Sequence, residues 1–255
     1  MRRTALAAAL IPCAFLLTAC GSSAPSAGSS TSVVSGSSNA GLSQAQLLAR
    51  FKTALATVTA LHIKGGTTTG SSPFSMDMQI NKDGSAEGTI VSTGMTMPLV
   101  VVGGVTYVQI TPSLAALMKS EAGADAAVAA KLVAGKWISS KSAIGSSMTQ
   151  GMDSMTNFAE MTKQLGTASG DTFTYLDTST VDGQQVAQYK DVSANSGSGS
   201  STSGSSVSTL DVPLNGTALP IEESGSSEGT VTFTWNEPTK VAAPTASDIV
   251  NLPAS

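Results

Sequence analysis

Residues 74–110 read FSMDMQINKDGSAEGTIVSTGMTMPLVVVGGVTYVQI. Phe74, Met76, Met78 and Ile80 alternate with Ser75, Asp77 and Gln79. A period of two, apolar then polar, is the pattern of a strand with one buried face. Lys82-Asp83-Gly84 turns this strand and 85–91 returns. Met95, Met97, Leu99 and Val101 repeat the alternation, Gly103-Gly104 turns again, and 105–110 returns. Asp182-Gly183 and Asn215-Gly216 stand between further strand-like runs. Asp-Gly, Gly-Gly and Asn-Gly supply the positive φ that two-residue hairpins require. Four such turns predict an antiparallel meander and argue against a parallel α/β sheet. Strands are predicted to resume at 171–176 and 186–192, with the last at 218–222 and 230–235.

Helices flank and interrupt the strands. Ser43-x-x-Gln46 is a capping box, with Leu42 and Leu47 at the staple positions. Leu47, Phe51, Leu55 and Val58 follow at helical spacing, so a helix is expected to run to about Thr59 and hand over to a strand at Leu61. The stretches 113–119 and 125–133 are Ala-rich and helix-prone. Met148, Met152, Met155 and Ala159 form an apolar stripe at i, i+4, i+7 and i+11, widened by Phe158, Met161 and Leu165. This predicts one or two helices inserted between two sheet halves. The fold class is therefore α+β: an antiparallel sheet with several helices on one face. Residues 193–208 hold 9 Ser and 3 Gly in 16 positions, the composition of an unstructured loop joining two strands.

The N-terminus reads as an address. Arg2 and Arg3 precede an apolar run at 5–17, the dimensions of a secretory signal. Leu17-Thr18-Ala19-Cys20 is a lipobox: an apolar residue, two small residues, and the Cys that accepts a diacylglyceryl group. Residues 1–19 are expected to be removed, Cys20 to be lipidated, and 20–41 to serve as a flexible Ser/Gly tether to a single domain at 42–255. About 21 linker residues give a reach of roughly 25 Å. The expected location is the outer face of the cell membrane.

Composition excludes several classes. The chain has 255 residues, 39 of them Ser, with 12% charged and 4% aromatic. A balance of 13 basic against 17 acidic residues makes nucleic acid a poor partner. Two Cys exclude a disulfide scaffold, and one His excludes a His-based metal cluster. There is no Gly-x-Ser-x-Gly elbow, calcium loop, phosphate-binding Gly loop or zinc spacing. No cofactor, metal or catalytic residue is assigned, and a monomer is expected. His62 at a helix-to-strand junction suits a structural hydrogen bond. Glu222 and Glu223 point to opposite faces of a strand and read as solvated surface. Trp137 and Trp235 read as packing anchors.

Three pieces together resemble the actinobacterial LppX/LprG-type lipoproteins, which share a half-barrel with LolA-like carriers. They are the lipobox with its tether, the amphipathic helix running into a His-bearing strand over 51–69, and the ending Thr230-Val-Thr-Phe-Thr-Trp235-Asn-Glu-Pro238 through Pro244 and Asp248-Ile249. The resemblance covers 42–255 and implies a curved antiparallel sheet, a half-barrel, with several helices packed on its concave face. It implies an apolar cavity between sheet and helices that holds acyl chains of envelope lipids, and hence a carrier or chaperone. The Ser/Gly tract at 193–208 and the high Met content depart from the family pattern, so the identity of the ligand is not carried over.

The residues themselves offer a site. Nine of the ten Met lie between Met76 and Met161. Flexible, polarizable Met suits surfaces that adapt to varied ligands. The candidate cavity is Phe51, Leu55, Phe74, Met76, Met78, Ile80, Met95, Met97, Leu99, Val101, Met148, Met152, Met155 and Phe158, holding a lipid or glycolipid. The plain alternative is that these side chains fill a core. In that case the chain acts as a surface lipoprotein through a partner protein, as a sensor or accessory subunit.

Overall fold

A computed structural model describes residues 37–67, 73–117, 133–150, 152–167, 171–194, 205–225 and 229–250. Cys20, the tether up to Gly36 and most of the predicted helix at 125–133 lie outside them. The body is the unit Gly36–Ser255.

Among the described residues, twelve strands form one open, curved sheet. The first meander runs β1 (Ala60–Thr67), β2 (Phe74–Asn81), β3 (Ala86–Ser92), β4 (Met95–Val102), β5 (Val105–Gln109) and β6 (Trp137–Ser139). The second runs β7 (Asp171–Val181), β8 (Gln184–Ala194), β9 (Ser205–Pro213), β10 (Glu222–Gly225) and β11 (Gly229–Trp235). The two halves join where β11 returns beside β1, with Leu61 opposite Trp235 and Ile63 opposite Phe233. A short β12 (Ile249–Val250) adds to β6 in parallel. Every other pairing is antiparallel between neighbours in this order, as the turn signals predicted.

Central strand β1 can curve because of Gly65 and Gly66. Their φ angles are +140° and +141°, and a Cβ on either would stand 2.0 Å from the Thr230 carbonyl oxygen or 2.2 Å from that of Phe74. No side chain fits, so the neighbouring backbones close in.

Helix α1 (Gln44–Leu55) begins at the predicted capping box, with both reciprocal hydrogen bonds formed. It stops four residues earlier than expected. Thr57 and Val58 donate to Ala54 and Leu55 in a tightening last turn, and Asn236 Oδ1 accepts from the Thr59 amide at 2.8 Å. Residues 112–117 are helical. The methionine stripe forms three short helices where one or two were expected, α2 (Ala143–Thr149), α3 (Asp153–Thr156) and α4 (Phe158–Thr167). Gln150 breaks the first with an extended ψ of 122°, and Asn157 caps the last by accepting from the Ala159 and Glu160 amides. All three occupy the β6–β7 connection, so the helices do sit between the sheet halves.

Other expectations are corrected. Asn215-Gly216 is no hairpin. The segment between Pro213 and Glu222 folds inward as an irregular connection, with Ala218 and Leu219 buried. Pro220 has no amide to give a ladder, and Asn39 holds the segment by donating to the Pro213 and Gly216 carbonyls. Strand β10 therefore starts only at Glu222. The Ser-rich tract is not all loop: Ser193 pairs with Ser206 and Ala194 with Ser205, extending the β8–β9 ladder into it, while 195–204 lies outside the described residues. Strand β6 was unforeseen, because three residues carry too little periodicity to read.

Candidate functional site

The apolar side chains of the sheet and helices divide into clusters. The largest gathers Leu61, Ile63, Met78, Ile80, Ile90, Leu99, Val101, Phe158 and Phe233, with Leu55, Phe74, Met76, Met97, Met155 and Met161 packed on it. A third, smaller cluster is Val108, Leu114 and Met152, with Met95, Met97, Met148 and Met155 against it. Met97 and Met155 bridge these two. The predicted methionines of β2 and β4 thus do meet those of the helices. Met78, Ile80 and Leu99 are closed from solvent there, and Met76, Met95, Met97, Met148 and Met155 are partly buried.

The second cluster belongs to the other half-sheet: Leu47 and Phe51 of α1 on Phe173, Ala187, Tyr189, Leu210, Val212 and Ala218. Phe51 meets Phe173 edge to face, with ring centroids 6.4 Å apart. Between this cluster and the first lies a cavity of ≈ 200 Å³. Its apolar walls are Phe51 and Leu55 from α1, Met161 from α4, Phe173 from β7, Leu210 from β9, and Leu219 and Pro220 from the β9–β10 connection. Trp235 Nε1 donates to the Pro220 carbonyl at 2.6 Å and fixes that wall. Of the predicted cavity residues, Phe51 and Leu55 line this space, and Phe74, Met76, Met78, Ile80, Met95, Met97, Leu99, Val101, Met148, Met152, Met155 and Phe158 do not.

Three carboxyl groups complete the lining: Asp171, Asp191 and Glu223. Register explains their placement. Asp191 faces Phe173 on one side and Ser208 on the other, and Glu223 faces Leu210, so all stand on the inner face. Ser208 Oγ donates to Glu223 Oε1 at 2.8 Å, and Asp191 is 6% exposed. Reading Glu223 as plain solvated surface missed this. Its opposite orientation from Glu222 was legible, since Glu222 pairs with Asp211 on the outer face. There burial raises both carboxyls above their ordinary range. Gln188 Nε2, donating to Asp211 at 2.9 Å, works against that burial, while the charges of Asp211 and Asp182 add to the rise at Glu222.

His62 lies within β1 on the face opposite the core. Its Nε2 is 2.7 Å from Asp77 Oδ1, and Lys64 Nζ is 3.2 Å from Asp77 Oδ2. The hydrogen bond from His62, ahead of that from Lys64, holds the Asp77 carboxyl below its usual value. A second groove, of ≈ 590 Å³, lies between α1 and residues 216–218 of the β9–β10 connection. Its Arg50 is engaged, donating to the Ser37 and Ser38 carbonyls and to Asn39 Oδ1. Asn39, fully buried, also accepts at its carbonyl from the Tyr189 hydroxyl. Among the described residues no three His, Cys, Asp or Glu side chains gather as a metal site, and no helix is long and apolar enough to cross a membrane.

No family model matches the sequence, and no curated protein matches it. Solved structures do. LprF from Mycobacterium bovis aligns at 12% identity over 79% of this chain and 96% of its own, with a TM-score of 0.52. The Mycobacterium tuberculosis lipoprotein LppX aligns at 16% identity over 78% and 100%, with a TM-score of 0.46. MucB aligns at 13% identity over 80% and 60%, with a TM-score of 0.33. The likeness to LprF joins the strand order described above, and the chain has that fold: the open antiparallel half-barrel implied by its resemblance to the LppX/LprG-type lipoproteins.

Proposed function

We propose that the chain is an envelope lipoprotein, anchored through Cys20 at the outer face of the membrane, that holds an apolar ligand between sheet and helices and passes it on. The observation that carries this reading is the apolar cavity between α1, α4 and the second half-sheet. Apolar burial, at ~25 cal/mol per Å² removed from water, is the only force such a ligand needs. Small-molecule pockets run ~300–1,000 Å³, so ≈ 200 Å³ seats one chain segment. The methionines next to it give room to grow. Met161 lines the cavity and packs on the same cluster as Met155, Met97 and Met76. Thioether side chains repack at low cost, so this seam is where the cavity widens around a longer chain.

The test uses the full chain with Cys20→Ser, exported from an actinobacterial host and examined by native mass spectrometry. A stoichiometric lipid, released and identified by extraction, is the expected result. A clean unliganded mass that takes up no added lipid overturns the carrier reading, and capture of a protein partner on intact cells becomes the next experiment. The anchor is tested on the unmodified chain, whose mass gains a diacylglyceryl group at Cys20 and loses residues 1–19.

A further inference from the structure

A polar hollow of ≈ 410 Å³ lies apart from the apolar cavity and shares no lining residue with it. Gly104 of the β4–β5 turn, Thr106 of β5, Ser140 just beyond β6, and Ser146, Thr149 and Gln150 around the end of α2 line it. Apart from Gly104, every described residue lining it carries a hydroxyl or an amide, and none is charged, aromatic or aliphatic. Its volume falls within the ~300–1,000 Å³ of small-molecule sites.

Thr106 is the unexpected member. Strand alternation sets it on the inner face opposite Val101 of the core, and it is 4% exposed. Its amide donates to Ser140 Oγ at 3.1 Å and its carbonyl accepts from the Ser140 amide at 2.8 Å, but among the described residues nothing pairs with its hydroxyl. That oxygen is not sealed inside the protein either, and the hollow is the open space beside it. Val has the same shape and would avoid the cost of a buried hydroxyl without a partner. The neighbours offer both halves of a hydrogen bond. Ser140 Oγ accepts from the Thr106 amide and keeps its own hydrogen to give, while Thr149 Oγ1 donates to the Gly145 carbonyl at 2.9 Å and keeps its lone pairs. Gln150, exposed at the rim, brings a donor and an acceptor in one amide. An anion finds no cation in this lining, a cation no carboxylate, and an acyl chain no apolar wall. Hydroxyl groups, which donate and accept at once, match the set.

We propose that this hollow binds a neutral sugar, free or as the head of a glycolipid, with Thr106 as its buried contact. The site stands whether or not the apolar cavity carries a lipid.

Thr106→Val and Gln150→Ala are made in the full chain with Cys20→Ser, and binding is read by saturation-transfer NMR titration. The probes are maltose, trehalose, methyl α-mannopyranoside and glucuronate, with dodecyl maltoside below its micelle concentration. At least one neutral probe is expected to bind, and glucuronate to bind at least about tenfold more weakly. Thr106→Val is expected to weaken the bound sugar about three- to tenfold through one lost hydrogen bond, and Gln150→Ala by a similar factor. The Tm of Thr106→Val should equal or exceed that of the parent chain, since no partner in the protein loses a bond. Dodecyl maltoside binding more tightly than maltose, and weakened by Thr106→Val, identifies a glycolipid head as the source; equal affinities for the two identify a free sugar. Silence from every neutral probe overturns the proposal, as do affinities that Thr106→Val leaves unchanged and glucuronate binding as tightly as the neutral sugars. None of these three results touches the carrier reading, whose own test is a bound lipid.

Discussion

Placing alanine at Gly65 tests whether the sheet is built around the close approach at its centre. Gly65 has φ +140°, a backbone conformation L side chains avoid. Its added Cβ would lie 2.0 Å from the Thr230 carbonyl oxygen and 2.7 Å from the Val231 Cα. Both are backbone atoms of β11, so no rotamer change relieves the contact, and β1 and β11 must separate by more than an ångström. That separation strains the dihedral by ~1–3 kcal/mol and forfeits about two ladder hydrogen bonds at ~0.5–1.5 kcal/mol each. The expected loss is about 3–5 kcal/mol. Gly84→Ala is the control. It also has positive φ, +84°, but nothing lies within 4 Å of its Cβ position, so it carries only the dihedral cost of ~1–2 kcal/mol. For a body of this size each kcal/mol moves Tm by ~2–4 °C. Thermal unfolding should show Gly65→Ala lower by about 10 °C, and Gly84→Ala by a few degrees. Trp235, two residues beyond Phe233 on the β11 side of this pairing, gives a fluorescence signal for the same transition. Equal shifts for the two variants would refute the argument that β1 and β11 close on a missing side chain.

Asn39→Ala removes the amide that donates to Pro213 and Gly216 and accepts from Arg50, leaving buried groups without partners; urea unfolding should show a loss of about 2–4 kcal/mol. Asp211→Asn should stabilise the protein at neutral pH. Burial raises this carboxyl, so the folded state binds its proton more tightly than the unfolded state does. The favourable contribution is full below the ordinary value of 3.8 and is lost as pH rises through the folded one. The gap between Asn and Asp variants should therefore close on acidification toward 3.8, and a gap that does not change with pH would count against the assignment. Leu219→Trp fills the cavity from its wall, at ~1–3 kcal/mol of overpacking. Bound lipid should fall below stoichiometry in native mass spectra while circular dichroism stays that of the parent chain.

Much of the architecture was legible because it rests on local rules. The alternation at 74–80 and 95–101 and the Gly-bearing turns at 83–84, 103–104 and 182–183 dictate antiparallel neighbours, and the Ser43–Gln46 box dictates where α1 begins. Breaks in the pattern were harder to see. Asn215-Gly216 has hairpin chemistry, but Ala218 and Leu219 gain more by turning into the core than by pairing at the surface, with Asn39 meeting the carbonyls left over. The methionine stripe keeps one apolar face through α2, α3 and α4 although the backbone breaks twice, since side-chain periodicity survives a cap at Asn157. The joining of the halves through β1 and β11 is non-local, set by residues some 170 apart in sequence, such as Leu61 and Trp235.

The position of the cavity follows from how the two halves are covered. The first half-sheet receives long side chains from both sides: Met76, Met78 and Met97 from the strands, and Met152, Met155 and Phe158 from the helical connection. Flexible thioethers fill irregular gaps, so a surplus of Met favours a closed core wherever helix and sheet both supply it. The second half-sheet presents Ala187 and Val212 beside its aromatics, and is covered mainly by α1. Where the two clusters meet, Phe51 and Leu55 reach down from α1, and the opposing positions on β8 and β10 are Asp191 and Glu223, which cannot fill apolar space. An aliphatic side chain at either position would extend the apolar packing into that space. Sequence periodicity shows which residues face inward. It does not show which inward positions border open space, and in this chain Asp171, Asp191 and Glu223 are among them.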